Sequence, residues 1–197
     1  MAERLYIIDG TAFAFRSFFA IRGGLNDSKG RPTNAAYGFA RVLLKILREE
    51  KPDRLVVTFD AGGPTFRDAM YGEYKAQREE TPPDLVAQFP MMKKLVEAFG
   101  IPMLCVEGVE ADDVIGTLAR RAGAEGLETV IVSGDKDLLQ LVSDRVSVYD
   151  PNKGDAGMRY TAAEVRERFG VGPEHVVDVL GLMGDASDNV PGVRGIG

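Results

Sequence analysis

The sequence offers little sulfur or imidazole for chemistry. Cys105 is its only cysteine, His175 is its only histidine, and it has no tryptophan. A single cysteine excludes an internal disulfide framework and a cysteine-rich zinc site. Ser-His-Asp catalysis would depend on His175, and nothing around this residue in the sequence looks like a catalytic base. We therefore expect a chemistry that uses neither residue, in a reducing compartment such as the cytoplasm.

Long hydrophobic runs are also absent. No apolar stretch approaches the roughly 20 residues that a membrane-spanning helix needs. The N-terminal MAERLYIIDG lacks the basic region and long apolar stretch of a signal peptide. Apolar residues make up 45% of the chain and charged residues 27%, which is typical of a globular protein. The composition therefore predicts no membrane partner, and 197 residues suffice for one sizeable core.

The net charge of −6 argues at first against a nucleic-acid partner. Its distribution changes that conclusion, because residues 14–54 contain nine Arg or Lys residues against four Asp or Glu residues. The acidic excess lies mostly later, in short clusters. We expect the basic stretch to face a nucleic-acid backbone and bound cations to neutralise part of the acidic excess.

The spacing of apolar runs predicts an α/β fold. Five β-rich runs are present, at Leu5–Ile8, Leu55–Phe59, Met103–Val106, Thr129–Val132 and Val146–Tyr149. Helical patterns occupy Asn34–Glu50, Pro82–Phe99, Ala111–Ala122 and Thr161–Phe169, and in the last of them Thr161 and Glu164 are spaced as a capping box. This alternation predicts a mostly parallel central sheet flanked by helices. Residues 61–81 have no clean period and are predicted to form a long functional excursion.

Acidic residues follow the predicted strands at four places. The first strand ends in LYIIDGT, which places Asp9 at its carboxyl end, and Asp60 ends the second. The other acidic residues are Glu110, Asp112 and Asp113; Asp135 and Asp137; and Asp185 and Asp188. Carboxyl ends of parallel strands lie on one edge of a sheet, so these carboxylates should converge. Such a cluster needs cations, and its oxygen ligands suit Mg²⁺ or Mn²⁺.

Each acidic group also has an ordinary structural interpretation. Asp112 and Asp113 could complement a helix dipole, Asp135 could cap a helix, and Asp60 could open a turn. Asp185 and Asp188 could be loop residues. Taken together, acids at four separate places favour a metal site over four independent coincidences.

One alternative is a phosphatase of the haloacid-dehalogenase type. Asp9-Gly10-Thr11 resembles the end of its D-x-D-G-T motif, and residues 184–188 resemble its late acidic motif. The nucleophilic aspartate of that family falls on Ile7, which cannot form a phospho-aspartyl intermediate. The sequence disfavours this alternative.

A second series of motifs covers the whole chain. It comprises Asp9-Gly10 with Phe15–Ala20, Thr33–Phe39, Phe59-Asp60, Phe66-Arg67, Tyr74–Arg78, Glu110–Asp113, Asp135-Lys136-Asp137, Gly184-Asp185 with Ser187-Asp188-Asn189, and Pro191–Gly197. In this order the motifs resemble the 5′-nuclease (5′-3′ exonuclease or flap endonuclease) domain at the N-terminus of bacterial DNA polymerase I, in the PIN-like superfamily.

The resemblance implies a domain arrangement. Residues 1–172 would form a PIN-like 5′-nuclease core, in which 61–90 is an arch over the active site. Residues 173–197 would begin a helix–hairpin–helix that binds duplex DNA, whose second helix would follow Gly197. The polymerase region would belong to a longer parent chain. An incomplete clamp would weaken duplex binding and leave its K⁺ site unfinished.

The resemblance also implies a two-metal cleavage of DNA, at 5′ flaps or in nicked or branched duplexes and on RNA primers, as in replication and repair. The first metal group would comprise Asp9, Asp60, Glu110, Asp112 and Asp113. The second would comprise Asp135, Asp137, Asp185 and Asp188. Asp60 and Asp112 would share the catalytic role with Lys75 and Arg78, which would contact the scissile phosphate.

Further DNA contacts are implied at Arg16, Arg67, Tyr74, Lys75, Arg78, Gly192, Gly195 and Gly197. Two of these have open alternatives: Arg16 could hold a phosphate or pair with an acid, and Tyr74 could stack on a base or pack against the arch. A third possibility for the whole chain is an inactive DNA-binding fragment. We expect a bacterial enzyme of the cytoplasm, associated with the nucleoid.

Overall fold

The computed structural model describes residues 3–21 and 23–196. A six-stranded sheet with the order β3-β2-β1-β4-β5-β6 forms its centre. The strands are β1 (Arg4–Asp9), β2 (Arg54–Thr58), β3 (Met103–Leu104), β4 (Glu128–Val132), β5 (Val146–Asp150) and β6 (Met158–Tyr160). β1 to β5 are parallel, and β6 pairs antiparallel with β5. The predicted α/β class with a mostly parallel sheet is confirmed.

Helices cover both faces of the sheet. They are α1 (Gly10–Ala20), α2 (Asn34–Lys45), α3 (Phe66–Met70), α4 (Pro83–Val86), α5 (Phe89–Ala98), α6 (Ala111–Ala124), α7 (Ala162–Phe169) and α8 (Val176–Met183). A π-helical turn continues α2 over Ile46–Glu50, and 3₁₀ turns occupy Asp137–Leu141 and Pro173–His175. None of the helices in the described ranges combines the length and apolar character that crossing a bilayer requires.

Alternate residues of the central strands enter two separate cores, because successive side chains of a strand point to opposite faces. Tyr6 and Ile8 pack with α1, α2 and α5, whereas Ile7 packs with α6 and α7. All three side chains have no exposed surface. Burial of both faces explains why the strands are apolar runs rather than alternating patterns.

The predicted helix over Pro82–Phe99 is wrong as a single element. The structure has two helices there, α4 and α5, with Gln88 between them. Pro90 lacks an amide hydrogen, and its ring would clash with the carbonyl four residues earlier in a continuous helix. At this break the buried Gln88 side chain contacts α2. Its Oε1 accepts hydrogen bonds from the amides of Ala35 and Ala36 at the start of that helix.

Three other predictions meet different outcomes. The capping box of Thr161 and Glu164 at the start of α7 is confirmed. β3 is shorter than the predicted 103–106, and the short β6 was not predicted. The excursion over 61–81 contains the helix α3, which a capping box of Thr65 and Asp68 begins. Five residues are too few to produce a visible helical period.

The strand order places a crevice at the centre of the sheet. The chain moves outward from β1 through β2 to β3 on one side, and from β4 through β5 to β6 on the other. Ligands of open α/β sheets bind outside the carboxyl ends of the strands where the order reverses. That point lies between β1 and β4, which end beside Asp9 and Ser133.

Close packing of α1 on α2 depends on Gly38. A Cβ atom added there would lie 2.5 Å from Ser17 Cβ and 2.9 Å from Ile21 Cδ1.

We expect Gly38→Ala to lower the free energy of unfolding by about 1–3 kcal/mol through overpacking, as measured by urea denaturation. Gly116→Ala is the matched control, because an added Cβ in this helical glycine would lie 3.7 Å from its nearest neighbour. The control should be neutral or stabilising by up to about 1 kcal/mol. Equal stability of Gly38→Ala and the wild type would contradict the packing argument.

Candidate functional site

Asp9 joins the two central strands at their carboxyl ends. It is 3% exposed, and it is both the last residue of β1 and the N-cap of α1. Its Oδ1 accepts a hydrogen bond from the Ala12 amide at 2.9 Å, and its Oδ2 accepts one from the Ser133 hydroxyl at 2.9 Å. Ser133 Oγ also accepts from the Asp135 amide at 3.1 Å. The acids that follow β1 and β4 are therefore held side by side.

The start of α6 brings a second set of carboxylates to the same edge. Asp60 follows β2, and its Oδ1 accepts a hydrogen bond from the Ala111 amide at 2.7 Å. Glu110 is the N-cap of α6 and forms a reciprocal capping box with Asp113. Asp112 lies in the first turn. Asp112 and Asp113 thus lie where their charge complements the dipole of α6, and the charges of Asp60 and Glu110 act on Asp112 together with that of Asp9.

The pKa of Asp112 is raised further than that of Asp9 or Asp137. Burial raises the pKa of its carboxyl to about 8, and the neighbouring charges of Asp9, Asp135, Asp60 and Glu110 act in the same direction. Burial likewise raises the pKa of Asp9 to about 6, against the lowering effect of its hydrogen bonds from Ala12 and Ser133. These carboxylates are close enough to oppose one another's ionisation.

A second acidic group lies beside the first. Burial, followed by the charge of Asp135, raises the pKa of Asp137 to about 6, and Asp185 and Asp188 act in the same direction. Asp185 differs, because the Lys136 ammonium at 2.8 Å and the donors of Ser187 outweigh burial and lower its pKa to about 2. The sequence-predicted second group is therefore also brought together.

The donors of this cluster are carboxylate oxygens, the ligand type that hard divalent cations prefer. Asp137 Oδ1 is buried and has no hydrogen-bond partner among the described residues. Burial, together with the neighbouring carboxylates, raises the pKa values of Asp9 and Asp112, and a bound cation would favour their ionised forms. Hard cations such as Mg²⁺ take carboxylate oxygens and retain several waters. A cavity of about 480 Å³ beside Asp112 and Asp137 leaves room for ions with their water ligands.

Basic side chains bind four of the predicted metal ligands. Within residues 3–21 and 23–196, no three His, Cys, Asp or Glu side chains are grouped so as to hold a metal ion by themselves. The ion pairs are Lys75–Glu110 at 2.6 Å, Arg67–Asp113 at 2.6 Å, Arg78–Asp188 at 2.5 Å and Lys136–Asp185 at 2.8 Å. Three of the four cations come from the excursion over 61–81, which lies against the cluster.

Asp113 stands apart from the other predicted ligands. Both of its oxygens accept hydrogen bonds from the Arg67 guanidinium, and Oδ2 also accepts from the Glu110 amide. The Arg67 hydrogen bonds hold the pKa of Asp113 below its usual range. Arg67 in turn has its pKa raised by the same contact. Both residues line the cavity, but the charge of each is neutralised by the other.

Tyr74 bridges the two acidic groups. Its hydroxyl lies 3.1 Å from Glu110 Oε2 and 3.0 Å from Asp188 Oδ2. Burial and these two charges raise the pKa of Tyr74. The hydroxyl therefore stays protonated and acts as a hydrogen-bond donor to the carboxylates. These contacts join Tyr74 to the two acidic groups, and the two open alternatives for this residue, base stacking and packing against the arch, stay predictions.

The remaining predicted DNA contacts lie elsewhere. Arg16 Nη1 pairs with both oxygens of the buried Asp150, at 3.0 and 2.9 Å, so the structure shows its acid-pairing alternative. Gly192 packs against the backbone of Met183, where an added Cβ would clash, and Gly195 has a φ of +89°. The DNA-contact predictions at these positions stay predictions. Gly197 lies outside the described residues.

Two residues of the site were missed from the sequence. Ser133 links Asp9 to Asp135, and Lys136 neutralises Asp185. Lys136 carried a signal, because a cation between two predicted ligands needs an explanation. Ser133 carried none, since a serine after a strand is ordinary and only the pairing of β4 with β1 brings it to Asp9.

Burial of Asp112 among other carboxylates predicts a pH-dependent stability. The folded pKa of about 8 exceeds the ordinary value of 3.8, so the folded protein binds this proton more tightly than the unfolded chain. The free energy of unfolding should therefore fall as the pH rises from about 4 to about 8. In a chelator, Asp112→Asn should raise the melting temperature at about pH 8 by several degrees, since about 1 kcal/mol corresponds to about 2–4 °C at this size.

The gain from Asp112→Asn should shrink as the pH falls and Asp112 becomes protonated in the wild type. Thermal melts at both ends of the window measure it. Asp144→Asn removes an exposed acid away from the cluster and should change neither value. A gain that is the same at both pH values would show that ionisation of Asp112 is not its cause.

The chain is similar in sequence to bacterial DNA polymerases I and to a 5′-3′ exonuclease. It is 50% identical over 198 residues to DNA polymerase I of Bacillus caldotenax, covering 100% of this chain and 22% of that protein. It is 47% identical to a 5′-3′ exonuclease of Aquifex aeolicus, covering 99% and 66% respectively. The chain thus spans about a fifth of the length of the DNA polymerase I relatives it matches.

A solved structure agrees with the fold. The flap endonuclease of bacteriophage T5, in a complex with DNA and metal ions, superposes with a TM-score of 0.75 at 28% identity, covering 99% of this chain and 71% of that one. The predicted PIN-like 5′-nuclease fold is confirmed. The model of the 5′-3′ exonuclease N-terminal resolvase-like domain matches residues 4–170. The chain belongs to this 5′-3′ exonuclease family.

Proposed function

We propose that this chain is a structure-specific 5′-nuclease, which hydrolyses phosphodiester bonds of DNA as a 5′-3′ exonuclease and 5′-flap endonuclease. One observation carries the proposal: two groups of carboxylates, buried at Asp9 and mostly half-buried elsewhere, meet at the switch point of the sheet against a segment that supplies Lys75, Arg78 and Arg67. Membership of the 5′-3′ exonuclease family supports it and leaves the phosphatase alternative without support.

The carboxylates would hold two divalent cations, Mg²⁺ or Mn²⁺. Asp9, Asp60, Glu110 and Asp112 would hold one, and Asp135, Asp137, Asp185 and Asp188 the other. When bound, such ions activate water and stabilise the leaving oxygen of an in-line displacement. Asp112 and Asp137 are the best candidates for direct ligands, because Asp137 Oδ1 has no donor and no donor bonds the Asp112 carboxylate among the described residues.

The protein's own side chains would bind and orient the scissile phosphate. Lys75 offers a point charge and Arg78 a planar fork, and both already reach carboxylates of the site. The carboxylate oxygens of Glu110 and Asp188 that bind Lys75 and Arg78 are also proposed metal ligands. Cations bound there would therefore free the two side chains for the substrate. The Tyr74 hydroxyl, between Glu110 and Asp188, would hold the arch segment over the reacting group.

A basic groove offers a binding surface for duplex DNA. Arg41, Lys45 and Arg48 lie along one face of α2 and its π-helical continuation, and they line a groove of about 780 Å³ with Arg16. Residues spaced by three and four share a helix face. Contacts from this face would go to phosphates, which position DNA without reading its sequence.

The finer features of the prediction remain part of this proposal. They are the nuclease core over 1–172 with an arch at 61–90, and the start of a helix–hairpin–helix at 173–197 with DNA contacts at Gly192, Gly195 and Gly197. A K⁺ ion would bind a complete hairpin clamp. The substrates would be 5′ flaps, nicked or branched duplexes and RNA primers in the bacterial nucleoid, next to a polymerase region.

Cleavage of a 5′-flap DNA with Mg²⁺ or Mn²⁺ tests the proposal. We expect metal-dependent cutting by the chain and none by Asp135→Asn. Metal binding without cutting would support the inactive DNA-binding alternative. An aryl phosphate serves as the second substrate, and its turnover without DNA cleavage would contradict the proposed function.

Removal of the Lys75 ammonium should separate chemistry from metal binding. We expect Lys75→Ala to lose most cleavage, by about 10²-fold or more, since a single charge-stabilising group is worth this much in other enzymes. Calorimetric titration with Mg²⁺ should show binding retained. Lys94→Ala removes an exposed lysine of α5 and should cut at the wild-type rate. Near-wild-type turnover by Lys75→Ala would exclude the role.

Substitution of the groove tests the duplex surface. Arg41→Ala combined with Arg48→Ala should weaken binding of unrelated duplex sequences equally and lower the salt slope of the affinity by about one for each phosphate that the protein no longer binds. Fluorescence anisotropy over a range of salt concentrations measures both, and Lys94→Ala again serves as the control. An unchanged salt slope would place the duplex elsewhere.

A further inference from the structure

Hydrogen bonds to main-chain carbonyls clasp the arch turn, residues 71–78, to the acidic loop, residues 185–190. The Lys75 amide donates to the Asp188 carbonyl at 3.0 Å, and Arg78 Nε donates to the Ser187 carbonyl at 2.9 Å. In the opposite direction, the Asn189 side-chain amide donates to the Glu73 carbonyl at 2.8 Å. These bonds fix the backbone on both sides of Lys75, separately from the ion pairs of the side chains.

Both partners of the clasp have an unusual backbone. Lys75 has a φ of +54° and Asn189 a φ of +59°, two of the three non-glycine residues with positive φ in the described ranges. Asparagine tolerates this left-handed region, whereas a lysine adopts it at a cost. The Lys75 conformation therefore needs support from its surroundings, and the clasp provides it.

The acidic loop is rigid enough to give that support. Asp185 and Val190 exchange two backbone hydrogen bonds, at 2.8 and 2.9 Å, which close the loop. Asp185 Oδ1 accepts from the amides of Ser187 and Asp188 inside it. The loop is held by its own bonds and by Lys136, so Asn189 projects from a fixed frame.

We propose that Asn189 is a positioning residue for Lys75. Its side-chain amide holds the Glu73 carbonyl, which fixes the arch turn in the conformation that places Lys75 Nζ at the carboxylate cluster, 2.6 Å from Glu110. The inference rests on the proposed function for the catalytic part of its role. The hydrogen bond that the Asn189 side chain makes goes to the Glu73 carbonyl and not to a carboxylate of the site, so it acts through the backbone of residues 73–75.

Two substitutions separate the side chain from the backbone. Asn189→Gly keeps the positive φ without cost but removes the amide donor. Asn189→Asp keeps the shape and tolerance of the left-handed region but offers only acceptors to the Glu73 carbonyl. A role of the donor predicts the same loss in both, whereas a role of backbone flexibility alone predicts it only in the glycine variant.

A double-mutant cycle with Lys75→Ala tests the link to catalysis. Under saturating flap DNA with Mg²⁺, we expect each Asn189 variant to lower kcat about fivefold or more, as the loss of one hydrogen bond allows, with a smaller change in KM. In the Lys75→Ala background the same substitutions should cost almost nothing further. Independent, multiplying losses would overturn the proposal.

Limited trypsin digestion in a chelator tests the clasp without any nuclease activity. We expect both Asn189 variants to be cut after Lys75 about fivefold faster than the wild type, with the cut after Lys153 in the β5–β6 turn as an unchanged internal control. An unchanged rate after Lys75 would overturn the proposal. If the wild type cuts no DNA, the proposed function fails, and the trypsin result alone decides whether Asn189 holds Lys75.

Discussion

The repulsion among closely spaced carboxylates is the constraint on which the site depends. Asp112 lies among four other acids in an environment that raises its pKa to about 8, and Asp9 and Asp137 have raised pKa values of about 6. A fold that concentrates like charges in this way loses stability unless positive charge is brought to them. The four basic side chains at the cluster, and the divalent cations proposed for it, are two answers to the same electrostatic requirement.

Competition between these two sources of positive charge connects structure to the proposed reaction. Lys75 and Arg78 bind carboxylates in the structure and would bind phosphate in the reaction. A cation that takes over Glu110 or Asp188 leaves the side chain with an unpaired charge near the place where DNA would lie. The arch turn then needs support that does not depend on ion pairs, and the backbone clasp to the acidic loop supplies it.

Several acids serve the fold and the site at once. Asp9 caps α1, Asp113 accepts a hydrogen bond from the Glu110 amide at the start of α6, and Asp60 holds the Ala111 amide. These hydrogen bonds orient each carboxylate before any ligand arrives, which a metal site requires of its surroundings. The structural and functional interpretations of the acids are therefore complementary. The same dual use explains why a single acid in this sequence carries little information, whereas the set of nine carries much.

The sequence by itself determined the sheet, because strands buried on both faces must be apolar runs, and it located the acids, because they follow those runs directly. It also determined the capping box of α7, which is a local pattern. Tertiary structure decided the break at Gln88, the pairing of β6, the union of Ser133 with Asp9 and the clasp between the arch turn and the acidic loop. The physical reason is distance along the chain: Lys75 and Asp188, or Asp9 and Ser133, meet only after the whole sheet has formed, and no local period encodes such contacts.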